Sequence, residues 1–376
     1  MNPKNPEITN FIKSGNIINF TFSNCYIALA NAIRRISYSE IPTVMCNPLP
    51  YHNSDVKIVE NKTIMHNEFL QDRIGLIPVN LVEKDVEKYS FELNVKNETD
   101  KDIQITSNDI TIIENSTNKK ISNNELNIFK KNDLTGDYPI ICNLNKKKNN
   151  EIEELIVQFK PSVNIGDEHA RYSPICLAKY NYTSVDDIEI IKKDYIKTNK
   201  DISKKLAEKK FNIYEKEKYY KKDDYDNPIS FDFEIESIGI IDAEKIVNRS
   251  LIILKNKILN LKDKIKRITR CNASMNGYDI HIENEDHTIG NLLETYIYNF
   301  YKVRNTDSDF HINYVSYKIP HPLEKNVILR IHFSKDNNEE LLKKLLYDIF
   351  IPELIDIIDI AISKFKEITN LDDDYD

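Results

Sequence analysis

The chain is 376 residues long, more than one core usually serves, so two or three domains are expected. Forty per cent of its residues are hydrophobic and thirty per cent charged, and no apolar run approaches the ~20 residues that a membrane span requires. A net charge of −8 argues against binding nucleic acid through overall charge, and five scattered cysteines (Cys25, Cys46, Cys142, Cys176 and Cys271) with no C-x-x-C pair argue against a disulfide framework or a zinc ribbon. The opening MNPKNPEITNFIKSG lacks the apolar core of a signal peptide, so a reducing compartment is expected. The abundance of Asn, Ile and Lys points to an AT-rich genome.

In chain order, a strand is predicted near Ile17–Phe22, and Asn24 is suited to cap a helix running to about Ser39. Leu29, Ile33 and Ile36 recur at i, i+4 and i+7 as one apolar stripe, and Ile41-Pro42 ends the helix. Arg34 and Arg35 border that stripe, which fits either solvated helix surface or the edge of a protein interface. NEFLQDRIGLIPV (67–79) reads as a short helix stopped at Gly75, with an extended exit through Pro78. Short strands follow at Tyr89–Val95, Ile103–Ile105 and Leu155–Phe159.

The stretch 180–227 is dominated by Lys, Asp, Glu and Tyr and reads as part solvated helix, part disordered chain. Phe231, Phe233 and Ile235 alternate as a half-buried strand ended by Gly239. Asp242 then caps a long helix with Ile246, Leu251, Leu254, Ile258 and Leu261 on its apolar face. After a polar linker at 271–277 the order is strand, helix, strand near Ile312–Ile319, strand Val327–Phe333 and a long last helix. Pro352 should kink or split that helix, and the acidic LDDDYD end should fray.

Two segments repeat. FTFSNCYIALANAIRRI (20–36) and IHIENEDHTIGNLLETY (280–296) align without a gap, placing Asn24 on Asn284, Asn31 on Asn291 and Ile33 on Leu293. Phe20 and Phe22 fall on Ile280 and Ile282. Paired supersecondary units usually pack on each other, and such a seam makes a scaffold as readily as an active site.

No catalytic constellation emerges. Glu285-Asp286-His287 are adjacent on a turn and converge poorly on one ion, and no second ligand lies at i+4, so Asp286 or Thr288 reads as a helix cap. Gly166-Asp167-Glu168-His169 reads as a turn positioning a strand. A phosphate-binding glycine loop and a nucleophile elbow are both missing.

ALANAIRRISYSEIPT (28–43), NEFLQDRIGLIPV, the GDEHARYSP run from Gly166 and FDFEIESIGIID (231–242) resemble the third-largest subunit of eukaryotic RNA polymerase II. They are also similar to its archaeal D-type counterpart and, more distantly, to the amino-terminal domain of bacterial alpha. EDHTIGNLLETYI followed by YKIPHPLEKNVILRIHF (317–333) resembles the eleventh-largest subunit and its archaeal L-type counterpart. In that family the two subunits dimerise and nucleate assembly of the two large catalytic subunits; here they look fused, as in large cytoplasmic DNA viruses. The resemblance implies a host cytoplasmic factory and virion location if viral, and the nucleus otherwise.

The resemblance implies an α+β protein in which two α/β dimerisation units form an intramolecular pseudo-twofold dimer. The first unit takes 1–60 and 228–270, a β-rich insertion 61–227, a linker 271–277 and the second unit 278–376. The seam is expected to hold Leu29, Ile33, Ile36, Leu292, Leu293 and Tyr296. Arg34, Arg35, Glu40, Asp72, Arg73 and Gly75 fall where relatives dock one of the large polymerase chains. Asn24, Gly166, His169, Gly239, Asp286, His287, Gly290, Pro320 and Pro322 read as structural turns. Many relatives carry a zinc loop or an iron–sulfur site in the insertion; with only Cys142 and Cys176 there, no cofactor of either kind is expected. Arg171-Tyr172 replaces the usual Lys-Trp.

The expected function is a non-catalytic scaffold of a DNA-directed RNA polymerase, with the two largest subunits and small assembly subunits as partners and nucleic acid reached only through the holoenzyme. Two other classes compete: a metal-dependent enzyme using Glu285, Asp286, His287 and His169, and a free-standing nucleic-acid-binding adaptor. Stoichiometric metal, or tight salt-dependent binding by the isolated chain, would favour these instead. A chain split within 271–277 should give halves that associate, and Leu293→Glu should abolish association by burying an unpaired charge at about 3–5 kcal/mol, read by co-purification.

Overall fold

A computed structural model describes residues 3–132, 135–146, 152–199, 201–271, 276–303, 310–334 and 338–371. The chain opens with β1 (Glu7–Ser14), β2 (Ile17–Ser23) and α1 (Ile27–Ser39). Next come β3 (Thr43–Met45), β4 (Val56–Asn61), α2 (Asn67–Gly75), β5 (Tyr89–Asn97), β6 (Ile103–Thr106), β7 (Thr111–Glu114) and β8 (Lys119–Ser122). The one-turn helix α3 (Asn123–Leu126), β9 (Ile140–Leu144), β10 (Glu153–Phe159) and β11 (Ser162–Asn164) follow. After β12 (Ile175–Tyr182) lie α4 (Ile188–Thr198), α5 (Lys204–Lys210), β13 (Ser230–Ser237) and α6 (Ala243–Leu259). The last part is α7 (Leu261–Lys264), β14 (Ile265–Arg270), β15 (Gly277–Glu283), α8 (His287–Ile297), β16 (Ile312–Lys318), β17 (Asn326–Phe333), α9 (Glu339–Lys343) and α10 (Ile351–Thr369).

These elements form two compact units. One comprises Met1–Ser37, Ile175–Glu236 and Ala243–Asp376; the other comprises Tyr38–Pro174 and Ser237–Asp242. The first unit holds two four-stranded antiparallel sheets, ordered β1-β2-β13-β12 and β14-β15-β17-β16. Both sheets are wound from the same chain order: strand, strand, helix, strand, strand, helix. β1, β2, α1, β12, β13 and α6 therefore correspond to β14, β15, α8, β16, β17 and the α9–α10 helix.

The correspondence reaches single residues. β2 and β15 begin at Ile17 and Gly277, and α1 and α8 begin at Ile27 and His287, the same 260-residue displacement as the sequence repeat. Asn24 and Asn284 both turn the chain between strand and helix in the left-handed region, at φ 57° and 55°. Asparagine adopts that region more readily than other non-glycine residues. Asn24 is thus the turn residue itself and not the helix cap expected of it.

Alternation builds the sheets. Ile18, Phe20 and Phe22 of β2 and Phe231, Phe233 and Ile235 of β13 are buried, as are Val327, Leu329, Ile331 and Phe333 of β17. Phe20 stacks on Phe233 at 5.0 Å, and Phe365 of α10 closes over Phe20 edge-on at 5.5 Å. The last helix of the second half therefore covers the first half's sheet. It also crosses α6, where Lys255 pairs with Asp359 at 2.7 Å. Pro352 splits the helix as its missing N–H requires: a π turn at Lys344–Phe350 widens the ladder, and Pro352 lies in the first turn of α10.

In the second unit a five-stranded sheet, β4-β10-β5-β7-β8, is accompanied by the pairs β6-β9 and β11-β3. Phe91 centres its core, with Phe129 at 5.0 Å and Phe159 at 5.3 Å. Leu70 and Ile74 of α2 join that core.

The compact units revise the boundaries drawn from sequence. The strand β12 and the Lys/Tyr-rich stretch belong with the unit that holds the two four-stranded sheets, because Thr183 donates to Ser230 O and Lys221 to Thr183 O, tying that stretch to β13. Within 180–227 the described residues form the end of β12, α4, α5, a π turn at Phe211–Glu215, a 3-10 turn at Lys216–Lys218 and connecting turns, so short helices stand where part of the stretch was expected to be disordered. The expected linker also needs moving. β14 pairs antiparallel with β15 and so belongs to the second sheet, which puts the link between halves near Asn260. Residues 272–275 and 372–376, the latter holding most of the acidic end expected to fray, lie outside the described residues.

Replacing Asn24 or Asn284 by alanine should cost about 1–2 kcal/mol through left-handed strain, whereas glycine should be tolerated. Thermal unfolding of the full-length variants measures this.

Candidate functional site

Where α1 meets α8, the apolar stripe read from sequence is buried: Leu29, Ile33 and Ile36 on α1, and Leu292, Leu293 and Tyr296 on α8, are at most 2 % exposed. Small residues let the helices lie close to their surroundings. A Cβ on Gly290 would stand 2.4 Å from the Tyr317 ring, so Gly290 is a packing residue inside α8 and not a turn. On one side Tyr26 meets Tyr296 edge-on at 5.1 Å, and Phe300 packs on both rings. On the other side Arg35 donates to Thr288 Oγ1 at 2.8 Å and to Asp286 Oδ2 at 2.6 Å.

Asp286 is the N-cap of α8, accepting from the Thr288 amide at 2.8 Å. Burial pushes its carboxyl up, but the bonds from Thr288 and Arg35 outweigh burial and hold it below the usual carboxylate range. Its neighbour Glu285 is fully buried between two lysines, with Lys257 of α6 at 3.1 Å and Lys264 bonding the other oxygen. Burial pushes the Glu285 carboxyl up despite those lysines. His287 turns away to Tyr317, Nδ1 lying 3.0 Å from the hydroxyl. The acidic triplet therefore serves three separate partners. Among the described residues no group of three or more His, Cys, Asp or Glu side chains converges as metal ligands would.

The residues expected to dock a large polymerase chain also have internal work. Arg34 donates to Asn31 Oδ1 at 3.1 and 3.0 Å, and Arg35 spans to α8 as described. Glu40 is half-buried after α1. In the second unit, Arg73 is exposed and donates to the carbonyls of Ile141 and Ile140, both at 2.7 Å. Asp72 accepts from Tyr51 at 2.9 Å and lies 3.8 Å from Arg171. Arg171 explains Gly75: its guanidinium would stand 2.4 Å from a Cβ there, so Gly75 admits a buried arginine and is not the helix stop, which is Leu76.

The turns are equally concrete. Gly166 passes 2.2 Å, measured from an ideal Cβ, from the Tyr38 carbonyl, and the Asp167 amide bonds Ser39 O at 2.8 Å. His169 caps the turn that follows by accepting from the Arg171 amide. Gly239 has φ 92°. Pro320 and Pro322 lie in the exposed turn joining β16 to β17.

Sequence reading did not single out Tyr26, Phe300, Lys257, Lys264 or the Ser37–Ser250 hydroxyl pair at 2.9 Å between α1 and α6. Tyr26 was within reach, since the repeat places it on Asp286. The lysines were not, because only the crossing of α6 toward the β15–α8 turn makes them partners of Glu285.

The fold and its seam define a protein built for pairing: two equivalent halves whose helices close on each other, with the site residues engaged in packing and ion pairs. The model of the RNA polymerase Rpb3/Rpb11 dimerisation domain matches residues 19–258, and the same domain description matches again at 278–350. The chain belongs to the RNA polymerase Rpb3/Rpb11 dimerisation-domain family.

Among its relatives, the DNA-directed RNA polymerase II subunit rpb3 of Dictyostelium discoideum is 30% identical over 46% of this chain and 56% of its own length. The DNA-directed RNA polymerase subunit Rpo3 of Methanocaldococcus jannaschii is 24% identical, over 64% and 87% respectively. A conjugation stage-specific protein of Tetrahymena thermophila is 25% identical over 66% of this chain and 91% of its own length.

The Arg35–Asp286 bond makes a pH prediction. Asp286 is depressed in the folded state, so its contribution is complete above the unfolded carboxylate value, about 3.9, and is lost as pH falls through the depressed folded value. Both side chains are 40% exposed, so solvent screening limits the pair to about 0.5–1 kcal/mol. Arg35→Ala should therefore be less stable than wild type near neutrality, and the gap should narrow as pH falls below the unfolded carboxylate value and through the depressed folded one. Urea unfolding across pH gives the comparison.

Proposed function

We propose that this chain is the assembly platform of a multisubunit DNA-directed RNA polymerase, carrying both dimerisation halves on one polypeptide and performing no chemistry itself. The observation that supports this most is the pairing of two family-matched halves in one chain, closed helix to helix through α1 and α8. Fusion fixes one first half to one second half and raises their effective concentration into the millimolar range. A rigid pair of this kind presents composite surfaces that neither half offers alone.

The two largest polymerase subunits are the partners this reading implies. Arg34, Arg35, Glu40, Asp72, Arg73 and Gly75 mark where one of them docks. Their internal bonds suit that purpose, because side chains already held in place lose little freedom when a partner arrives. The reading extends to origin: the fused arrangement and the AT-biased composition fit a large cytoplasmic DNA virus, whose polymerase works in the host cytoplasm and is packaged in the virion.

An affinity-tagged full-length chain recovered from its native cells should bring down two very large polymerase subunits in equimolar amount. Their absence from the eluate would overturn the reading. Separately, a chain cut near Asn260 should hold together as two fragments, and Leu293→Glu should separate them on size exclusion, at a cost of about 3–5 kcal/mol.

A further inference from the structure

The connection between β12 and β13 is a lysine-rich excursion of the chain. Residues 192–222 hold twelve lysines, five carboxylates and no arginine, in a chain whose net charge is −8. The excursion is held to the sheet by Tyr220, which packs on Tyr182 of β12 at 5.0 Å, and by the Val185 amide, which donates to Tyr219 O at 3.2 Å. Within it, Ser203 caps α5 by accepting from the Leu206 amide, and α5 runs on into the π turn at Phe211–Glu215. Phe211 is buried, with Tyr195 of α4 at 5.5 Å and Tyr219 at 6.3 Å.

Ala207 and Phe211, four residues apart, are both buried, which turns the opposite face of this helix to solvent. On that face Leu206, Lys209, Lys210 and Ile213 recur at i, i+3, i+4 and i+7, and all four are exposed. Leu206 is 44% exposed and Ile213 52%, with Tyr214 beside it at 66%. Lys197 and Lys218 pair with Asp194 and Glu215 three residues away, whereas Lys204, Lys205, Lys209 and Lys210 have no carboxylate partner among the described residues. The face is incomplete in two respects. Lys205 and Lys209 stand four residues apart on one helix, where like charges repel. Leu206 and Ile213 leave aliphatic surface in water.

We infer that α5 and its π turn form the docking face for an acidic, aliphatic-bearing segment of a protein partner. Apolar side chains of that segment cover Leu206 and Ile213, while its carboxylates meet the lysines between and beside them. One occupant thereby relieves both the repulsion and the exposure. Nucleic acid fits this face less well. Leu206 and Ile213 offer no ring for base stacking, no arginine is present to bond phosphate bidentately, and Glu208 and Glu215 sit among the lysines. None of these residues belongs to the set proposed to dock a large polymerase subunit, so either proposal can fail without the other.

The test is fluorescence anisotropy on the full-length chain with three labelled probes. One is a peptide of Glu, Asp and Leu with leucines at i, i+3, i+4 and i+7; the others are polyglutamate and oligo-dT of matched length. The leucine-bearing peptide should bind at least about tenfold more tightly than either control, and more weakly as salt rises. Lys209→Glu with Lys210→Glu, and separately Leu206→Ser with Ile213→Ser, should each lower its affinity about tenfold. These side chains are exposed, so thermal unfolding of both variants should match wild type. If the charge reversal does not fold, Lys209→Gln with Lys210→Gln gives the answer: weaker binding supports the inference and unchanged binding overturns it. The inference is also overturned by no saturable binding of the leucine-bearing peptide, by equal binding of polyglutamate, by equal or tighter binding of oligo-dT, or by unchanged affinity in either folded variant.

Discussion

Burial of one apolar stripe on α1 and its counterpart on α8 is the constraint on which the dimerisation unit depends. A four-stranded sheet with one helix lying on it leaves part of that helix uncovered, and a fully buried Leu, Ile or Phe side chain is worth about 1.5–3 kcal/mol. Leu29, Ile33, Leu292 and Leu293 are all nearly completely buried, and Tyr26–Tyr296 and Arg35–Asp286 link the regions of α1 and α8. The long helices then cross, so that Phe365 seals the first sheet while Lys257 reaches the turn before α8. The second half thus completes the core of the first.

Polar groups in this arrangement fix geometry and contribute modestly to stability. Glu285 has no exposed side-chain surface and would be a liability alone; between Lys257 and Lys264 it ties the end of α6 to a turn in the second half. The Ser37 and Ser250 hydroxyls lie 2.9 Å apart, each also within reach of a carbonyl, of Ile33 and of Ile246; with one proton apiece, one hydroxyl donates to the other and that one donates to its carbonyl, so close helix packing leaves neither stranded. Apolar burial favours association of the halves, and these bonds choose one relative placement.

Much of the pairing logic was legible in the sequence, because the repeat at a constant displacement of 260 residues encodes backbone geometry as well as composition. Asn24 and Asn284 show this directly, since both adopt the same rare conformation. The buried stripes were legible for the same reason: helical periodicity is local. What escaped was non-local or masked by polarity. β1 and β14 are edge strands with exposed, polar faces, and their burial patterns lack the alternation that marks β2 or β17. Gly75 and Gly290 looked like chain punctuation, but one makes room for Arg171 and the other for Tyr317, neighbours distant in sequence. Residue type announced that backbone freedom or space was needed there without saying which.

The interruption of the first half sets a kinetic asymmetry between two otherwise equivalent folds. β15 and β17 pair across the short span from Glu283 to Asn326, whereas β2 and β13 must find each other across everything between Ser23 and Ser230. Loop-closure entropy rises with the logarithm of length, and distant pairings slow folding more than they weaken the product. The second half is thus the faster nucleus even though the ribosome makes it last. Until it emerges, a completed first half must wait with the α1 stripe uncovered, and carrying both halves on one chain keeps that vulnerable interval short.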